Sequence, residues 1–255
     1  MQQYLEVATI VAREAGAIMK EVFAQGVAHT VKSDHSPVTD ADRRINELVI
    51  TRIKQAFPTH SVLGEEGREM QTGEHTWVCD PIDGTAAFMR GIPISVFSLA
   101  LVVEGEPQVG VVYDPHLDRL YTAIKGGGAF MNGAPILSAE NTELAHSYIE
   151  TDGHSGFKNL SFFERALAAN VRFLSFSSTV YAHMLVATGQ IQGVVFPRTS
   201  PWDAAAAKII VDEAGGTTSD IHGNTQRYDV DTTGLVSSCT PEFHEKLLTL
   251  IAPSV

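Results

Sequence analysis

The sequence predicts a mixed α/β protein, with an α+β first half and an α/β second half, and three features carry that prediction. Residues 4–23 repeat apolar side chains at helical spacing. Residues 94–124 fall into three strand-like runs separated by tight turns. Beyond residue 138, short apolar runs alternate with helix-period segments. No flexible linker separates the halves 1–137 and 138–255, so they are expected to pack tightly, with a site in the crevice between them.

Leu5, Ala8, Val11, Ala12, Ala15, Ile18, Met19, Val22 and Phe23 form the stripe of a long opening helix. A polar, proline-interrupted stretch from Val31 to Asp42 follows, then a second helical pattern at Ile45, Leu48, Val49, Ile53 and Phe57. Thr39 and Asp42 have the spacing of a capping box, and Pro58 closes the helix. Glu65 and Glu66 stand between Gly64 and Gly67, and on an extended backbone they point to opposite sides. The runs 94–103, 108–113 and 119–124 predict an antiparallel meander. The glycines Gly126 to Gly128 lack a following Gly-Lys-Ser/Thr and a helix start, so a structural turn is expected rather than a phosphate loop. In the second half, strands are expected near 147–150, 171–176, 193–196 and 235–238, with helices near 162–169, 179–188, 204–214 and 241–251.

Thirty acidic against 18 basic residues give a net charge of -12, which argues against non-specific attraction to nucleic acid or an anionic membrane. The longest apolar runs are far shorter than the ~20 residues of a membrane span. The start Met1 to Glu6 lacks the basic and apolar regions of an export signal, so a cytoplasmic protein is expected. Two cysteines cannot build a disulfide framework, and Cys79, in an apolar strand end, is expected to be structural. The ten histidines form no zinc pattern and are expected mostly at the surface or in caps.

The chain is organised around Trp77 to Phe88, where an apolar run meets Pro81 and Gly84 and becomes helix-compatible. A strand ending near Asp80, a tight turn and a helix from Thr85 are expected. Two carboxylates then share one turn with a glycine able to approach a ligand and with amides at a helix N-terminus. Acids for a hard cation and amides for a phosphate would lie side by side. The plainer account makes Asp83 an N-cap, Asp40 and Asp42 helix-start acids, and Asp203 an acid in the first turn of the helix after Trp202.

Taken together, five stretches in order resemble the inositol monophosphatase family of magnesium-dependent, lithium-sensitive phosphatases. They are Lys32 with Ser36 to Asp40, Gly64 to Glu66, Asp80 to Thr85, Gly126 to Gly133, and Trp202-Asp203 with Glu213 to Gly216. The resemblance covers the chain from about residue 30 to the C-terminal helix. It implies a layered αβαβα sandwich, also found in fructose bisphosphatases, and a homodimer. It further implies that Glu65, Asp80, the carbonyl of Ile82, Asp83 and Asp203 hold metal, with Asp40 close to a further ion or its water. Thr85 resembles the residue that, with Asp40, orients and deprotonates the attacking water, and Glu66 resembles a supporting partner behind the ligands. Gly84 and Thr85 amides would hold phosphate oxygens, while Ser178, Thr179, Phe196, Arg198 and Asp203 would meet the rest of the substrate. The implied cofactor is Mg2+, as two or three ions, with Mn2+ as a substitute and Li+ and Ca2+ as inhibitors. The implied reaction is in-line hydrolysis of a small polyol or sugar phosphate, such as inositol monophosphate, by water and without a phosphoenzyme.

Three departures stand out. Ala87 occupies a position where the family usually has Asn, removing a polar brace from the loop. Ser177 to Thr179 replace a Gly-Thr-Ala-like loop, and Phe196 replaces the acid that binds ring hydroxyls in inositol-specific members. Arg198, two residues on, could bind a second anionic group or stand at the surface. Histidinol phosphate and fructose 1,6-bisphosphate are therefore rival substrates, and a member kept as a protein partner in a transcription complex is a reading of another class. The filled acid positions favour catalysis.

Overall fold

The computed structural model describes residues 1–26, 29–31, 37–69, 74–152 and 156–255, with backbone alone for 29–31, 37 and 38. Lys32 and Ser36 of the first matching stretch lie outside them.

Helix α1 (Gln2–Gln25) opens the chain, followed by strands β1 (His29–Val31) and β2 (Pro37–Thr39) and helix α2 (Asp40–Ala56). Strands β3 (Ser61–Gly64), β4 (Gly67–Glu69) and β5 (His75–Asp83) lead to the single helical turn α3 (Thr85–Phe88). The meander β6 (Val96–Val103), β7 (Glu106–Asp114), β8 (Arg119–Ile124) then continues into β9 (Ala129–Met131) and β10 (Ala134–Pro135). The second half runs β11 (Tyr148–Glu150), α4 (Ser161–Ala168), β12 (Arg172–Leu174), α5 (Thr179–Ala187), β13 (Gly193–Phe196) and α6 (Pro201–Glu213). It closes with β14 (Thr217–Ser219), β15 (Leu235–Ser238) and α7 (Pro241–Ile251).

Two main sheets result, an eight-stranded one ordered β10-β9-β8-β7-β6-β5-β3-β4 and a five-stranded one ordered β12-β11-β13-β15-β14. Helices α1 and α2 lay Val11, Ala12, Ala15, Met19, Ile45, Val49 and Ile53 on Trp77, Leu99 and Val111 of the large sheet. Each such fully buried Val, Ile or Met contributes about 1.5–3 kcal/mol through burial. The opposite face of that sheet is covered by α5 and α6, so β5 and β6 are buried on both sides and read as near-continuous apolar runs. Four consecutive alanines, Ala204 to Ala207, keep α6 slim enough to lie between the sheets. Gly110 of β7 allows the close approach, since a Cβ there would come within 2.4 Å of Ile209 Cγ2. Helices α4 and α7 cover the outer face of the small sheet through Phe162, Phe243 and Leu247. The stacking is αβαβα, as the resemblance implied.

Local chemistry explains the ends. Asp42 Oδ2 accepts from Thr39 N at 2.7 Å, completing the capping box read from the sequence. Glu65 and Glu66 sit in the tight turn between β3 and β4, not on extended backbone, because the β3–β4 hairpin must reverse direction there. The histidine expectation also needs correction: His60, His183 and His244 are all buried. Cys79 and Cys239 are buried free thiols, and burial pushes the Cys79 thiol well up.

The glycine turn holds an anion supplied by the chain itself. Gly126 N donates to Glu213 Oε1 at 2.7 Å and Gly128 N to Oε2 at 2.8 Å. The end of α6 is thereby tied to the β8–β9 connection, and Gly126 and Gly128 need their positive φ of 76° and 81° to aim both amides at one carboxylate. Glu213→Ala is expected to cost about 1–3 kcal/mol. The check is a urea melt, in which the midpoint should fall with the slope unchanged.

Candidate active site

A cavity of about 710 Å³ opens where both halves meet. From the first half come Glu65, Asp80, Ile82, Asp83, Gly84, Thr85 and Ala86. The second half supplies Asp152, Ser177, Ser178, Thr179, Phe196, Ser200, Trp202 and Asp203. These positions are the carboxyl ends of β5, β11 and β13 and the N-termini of α5 and α6. Ligand sites in layered α/β folds collect at such ends.

The acids converge because β5 is irregular. Residues three apart on a regular strand face opposite sides, yet Asp80 and Asp83 both line the cavity. The pairing of β5 with β6 shifts register between them, and this bulge turns the second carboxylate around. Pro81 has no N–H to give the ladder, and Ile82 N donates inward to Asp80 Oδ1 at 3.0 Å. The Thr85 hydroxyl donates to the Ile82 carbonyl at 2.8 Å. Asp80, Asp83 and Asp203 each place an oxygen within 4.8 Å of the others.

Asp83 does more than line the cavity. Its oxygens accept from the amides of Thr179 at 2.9 Å, Val180 at 3.0 Å and Tyr181 at 3.2 Å, and from the Ser178 hydroxyl. It is therefore an N-cap, but of α5 in the other half and not of α3, which is headed by Gly84. Helix α5 has no side-chain cap of its own from Ser178, and Asp83 supplies the missing acceptor. Gly84 also differs from expectation. Its φ is +85°, and a Cβ would meet the Ile94 carbonyl at 2.8 Å and Ser178 Cβ at 2.9 Å, so it makes room for the facing half. With α3 only one turn long, it offers a much smaller dipole than the sequence suggested.

Asp203 sits at the third position of α6 and accepts from Ser200 N at 2.7 Å, in a capping box with Pro201 at the first position. Burial dominates the electrostatics. It lifts Asp203 to about 7, aided by Asp83. It lifts Asp83 to about 6 against the pull of its four hydrogen bonds. Asp80 is pushed well above the usual carboxylate range by burial first, then by Glu65, Asp83 and Asp203. Three enclosed carboxyls with oxygen donors alone, at this spacing, match what a hard divalent cation requires.

Not every residue singled out in the sequence reaches the cavity. Glu66 and Arg198 do not line it. Asp40 does not either: its side chain is 71% exposed and lies 3.8 Å from Arg44, although it directly follows β2, which packs beside α3. Ser177, from the substituted loop, does line it; conversely, Asp152 and Ser200 line the cavity without having been singled out, and Trp202 is part of its wall as well as a packing anchor. Asp152 had one signal, its place just past the carboxyl end of a strand.

A layered αβαβα fold with buried acids at the seam of its sheets defines a class of α/β phosphatases. The model of the inositol monophosphatase family matches residues 1–255, and the chain belongs to that family. It is 37% identical over 238 residues to a histidinol-phosphatase of Chlorobaculum parvum, covering 92% of this chain and 91% of that one. It is 34% identical over 238 residues to inositol monophosphatase 3 of Solanum lycopersicum, covering 88% of each. Among solved structures, the Thermotoga maritima IMPase superposes with a TM-score of 0.89 at 29% identity, covering 99% of this chain and 98% of the other.

Proposed function

We propose that the chain is a Mg2+-dependent phosphomonoesterase acting on a small soluble ester, either a polyol or sugar phosphate such as inositol monophosphate, or histidinol phosphate. The observation that carries this reading is the convergence of Asp80, Asp83 and Asp203 within 4.8 Å at the floor of an open cavity. Carboxyls crowded and desolvated in this way repel one another unless a cation joins them.

Glu65 and the Ile82 carbonyl line the same cavity and complete an oxygen donor set. A divalent cation bound there would polarise the phosphate and lower the pKa of a water. The remaining work belongs to the chain. Thr85, which lines the cavity, and Asp40, at the start of α2 directly after β2, which packs beside α3, orient the attacking water and take its proton. Glu66 supports the ligand loop from behind Glu65. The amides of Gly84 and Thr85 steady phosphate oxygens, and Ser178 and Thr179 stand where α5 begins, facing the leaving alcohol. The same reading takes the chain as a homodimer of two halves divided near residue 138, with Mn2+ able to substitute and Li+ and Ca2+ inhibitory. Among the described residues no helix is long and apolar enough to cross a membrane.

The test is phosphate release across inositol phosphates, histidinol phosphate, fructose 1,6-bisphosphate and glycerol phosphate, with Mg2+ or with chelator. Release should require Mg2+ and fall on the order of 10²–10³-fold in Asp83→Asn, which removes one anionic group from the reacting centre. Chelator-insensitive release, or none from any ester, would sink the reading. The second outcome would turn attention to a binding role.

A further inference from the structure

The acids assigned above do not exhaust the charge in the cavity. Five carboxylates line it, Glu65, Asp80, Asp83, Asp152 and Asp203, and no Lys, Arg or His lines it among the described residues. Asp152 stands apart from the three that converge. It follows β11 in the second half, is exposed, and among the described residues has no hydrogen-bond or ion-pair partner. Two residues earlier on β11, Glu150 is fully buried and pushed up to about 8, by burial first and then by Asp152 and Asp83.

Two aromatic rings, Phe196 and Trp202, share this cavity. An apolar ring gives a polyol nothing to bond its hydroxyls, and burying those hydroxyls unpaired costs about 1–3 kcal/mol each. A cation, or a flat heteroaromatic group, is favoured against such faces by about 0.5–2 kcal/mol. A carboxylate that shares a cavity with aromatic rings pairs with an ammonium or imidazolium by charge, whereas a neutral sugar offers it hydroxyl hydrogen bonds alone.

We propose that Asp152, which shares the cavity with Phe196 and Trp202, selects phosphate esters of amino alcohols, whose cationic end pairs with the Asp152 carboxylate while the phosphate sits at the acid cluster. This rests on the phosphomonoesterase reading for its chemistry, but the cationic site can be examined without it. Asp152 is a specificity residue in this scheme and takes no part in bond making.

The experiment uses the full chain with Mg2+, histidinol phosphate as the cationic ester and glycerol 2-phosphate as the neutral one. The wild type should prefer histidinol phosphate in kcat/KM by about tenfold or more, the worth of one charge-assisted hydrogen bond. Asp152→Asn should reduce that preference by about tenfold, with the loss in the KM for histidinol phosphate, and Asp152→Glu should restore most of it. A preference unchanged in Asp152→Asn overturns the proposal, as does a neutral ester favoured by the wild type. So does a shift in the Mg2+ midpoint that accounts for the whole effect, since Asp152 would then be a metal ligand. Calorimetric binding of histidinol itself separates the two readings. If no ester is hydrolysed but histidinol binds about tenfold more weakly to Asp152→Asn, the cationic site stands and the phosphatase reading falls. Equal binding to both proteins, with hydrolysis of neutral esters intact, does the reverse.

Discussion

Replacing Asp80 by asparagine is expected to make the metal-free protein more heat-stable and at the same time to abolish Mg2+-dependent phosphate release. Asp80 is 2% exposed and faces Glu65, Asp83 and Asp203, so wherever it is ionised its charge is carried at a cost. Asparagine has the same shape and keeps an oxygen for the Ile82 amide, which now donates to Oδ1 at 3.0 Å. The variant loses a crowded buried charge and creates no cavity. A gain of about 1–3 kcal/mol, or several degrees in Tm, follows for the protein in chelator. Added Mg2+ reverses the order. A cation that binds only the native state stabilises it by about 2.7 kcal/mol at a hundred times its Kd, and the variant forgoes most of that. Thermal melts with and without Mg2+ should therefore cross. A variant less stable than wild type in chelator, or one that Mg2+ stabilises fully, would contradict the argument.

The second large effect concerns Glu150, which is 0% exposed on the inner strand β11. One carboxyl oxygen accepts from Phe176 N at 2.9 Å, while the other has no partner. Burial raises the group to about 8 from an ordinary 4.5, with Asp152 and Asp83 adding to the rise. The native state thus holds this proton more tightly than the unfolded chain. Its contribution is complete below about pH 4.5 and is lost as pH climbs towards about 8. Glu150→Gln cannot ionise and should lack that decline. Between about pH 5 and pH 9 its stability relative to wild type should improve, by at most on the order of 4 kcal/mol. Urea midpoints measured across that range decide it. Parallel profiles for the two proteins would show that Glu150 does not ionise differently in the fold.

How much of this was legible beforehand follows from the range of the information. The stripe of α1, the capping box at Thr39 and Asp42, and the meander of β6, β7 and β8 are set by neighbours a few residues away, and periodicity found them. The acids Asp80, Asp83 and Asp203 were legible as residues, but their convergence depends on a register shift within β5 that no local pattern announces. Asp83 reads naturally as the cap of the turn that follows it; its true acceptor duties lie on α5, almost a hundred residues downstream in the chain. His183 shows the same limit. It looks like any helical histidine, yet it is buried with both ring nitrogens unpartnered against Phe196, and burial lowers it to about 3. The five-layer stacking came from the resemblance, since pattern alone does not say which helix lies between two sheets.

The clasp at the glycine turn has a mechanical corollary. Helix α6 is anchored at one end by Glu213 on the β8–β9 connection and carries Asp203 at the other. Its 13 residues make a strut about 20 Å long, stiff and hemmed in by sheets on both sides. A strut fixed at its far end locates its near end, so the turn at Gly126 is part of the gauge that sets where one of the three converging carboxylates stands. Changes at that remote surface corner, well away from the cavity, are in this sense adjustments to the aim of the converging acids.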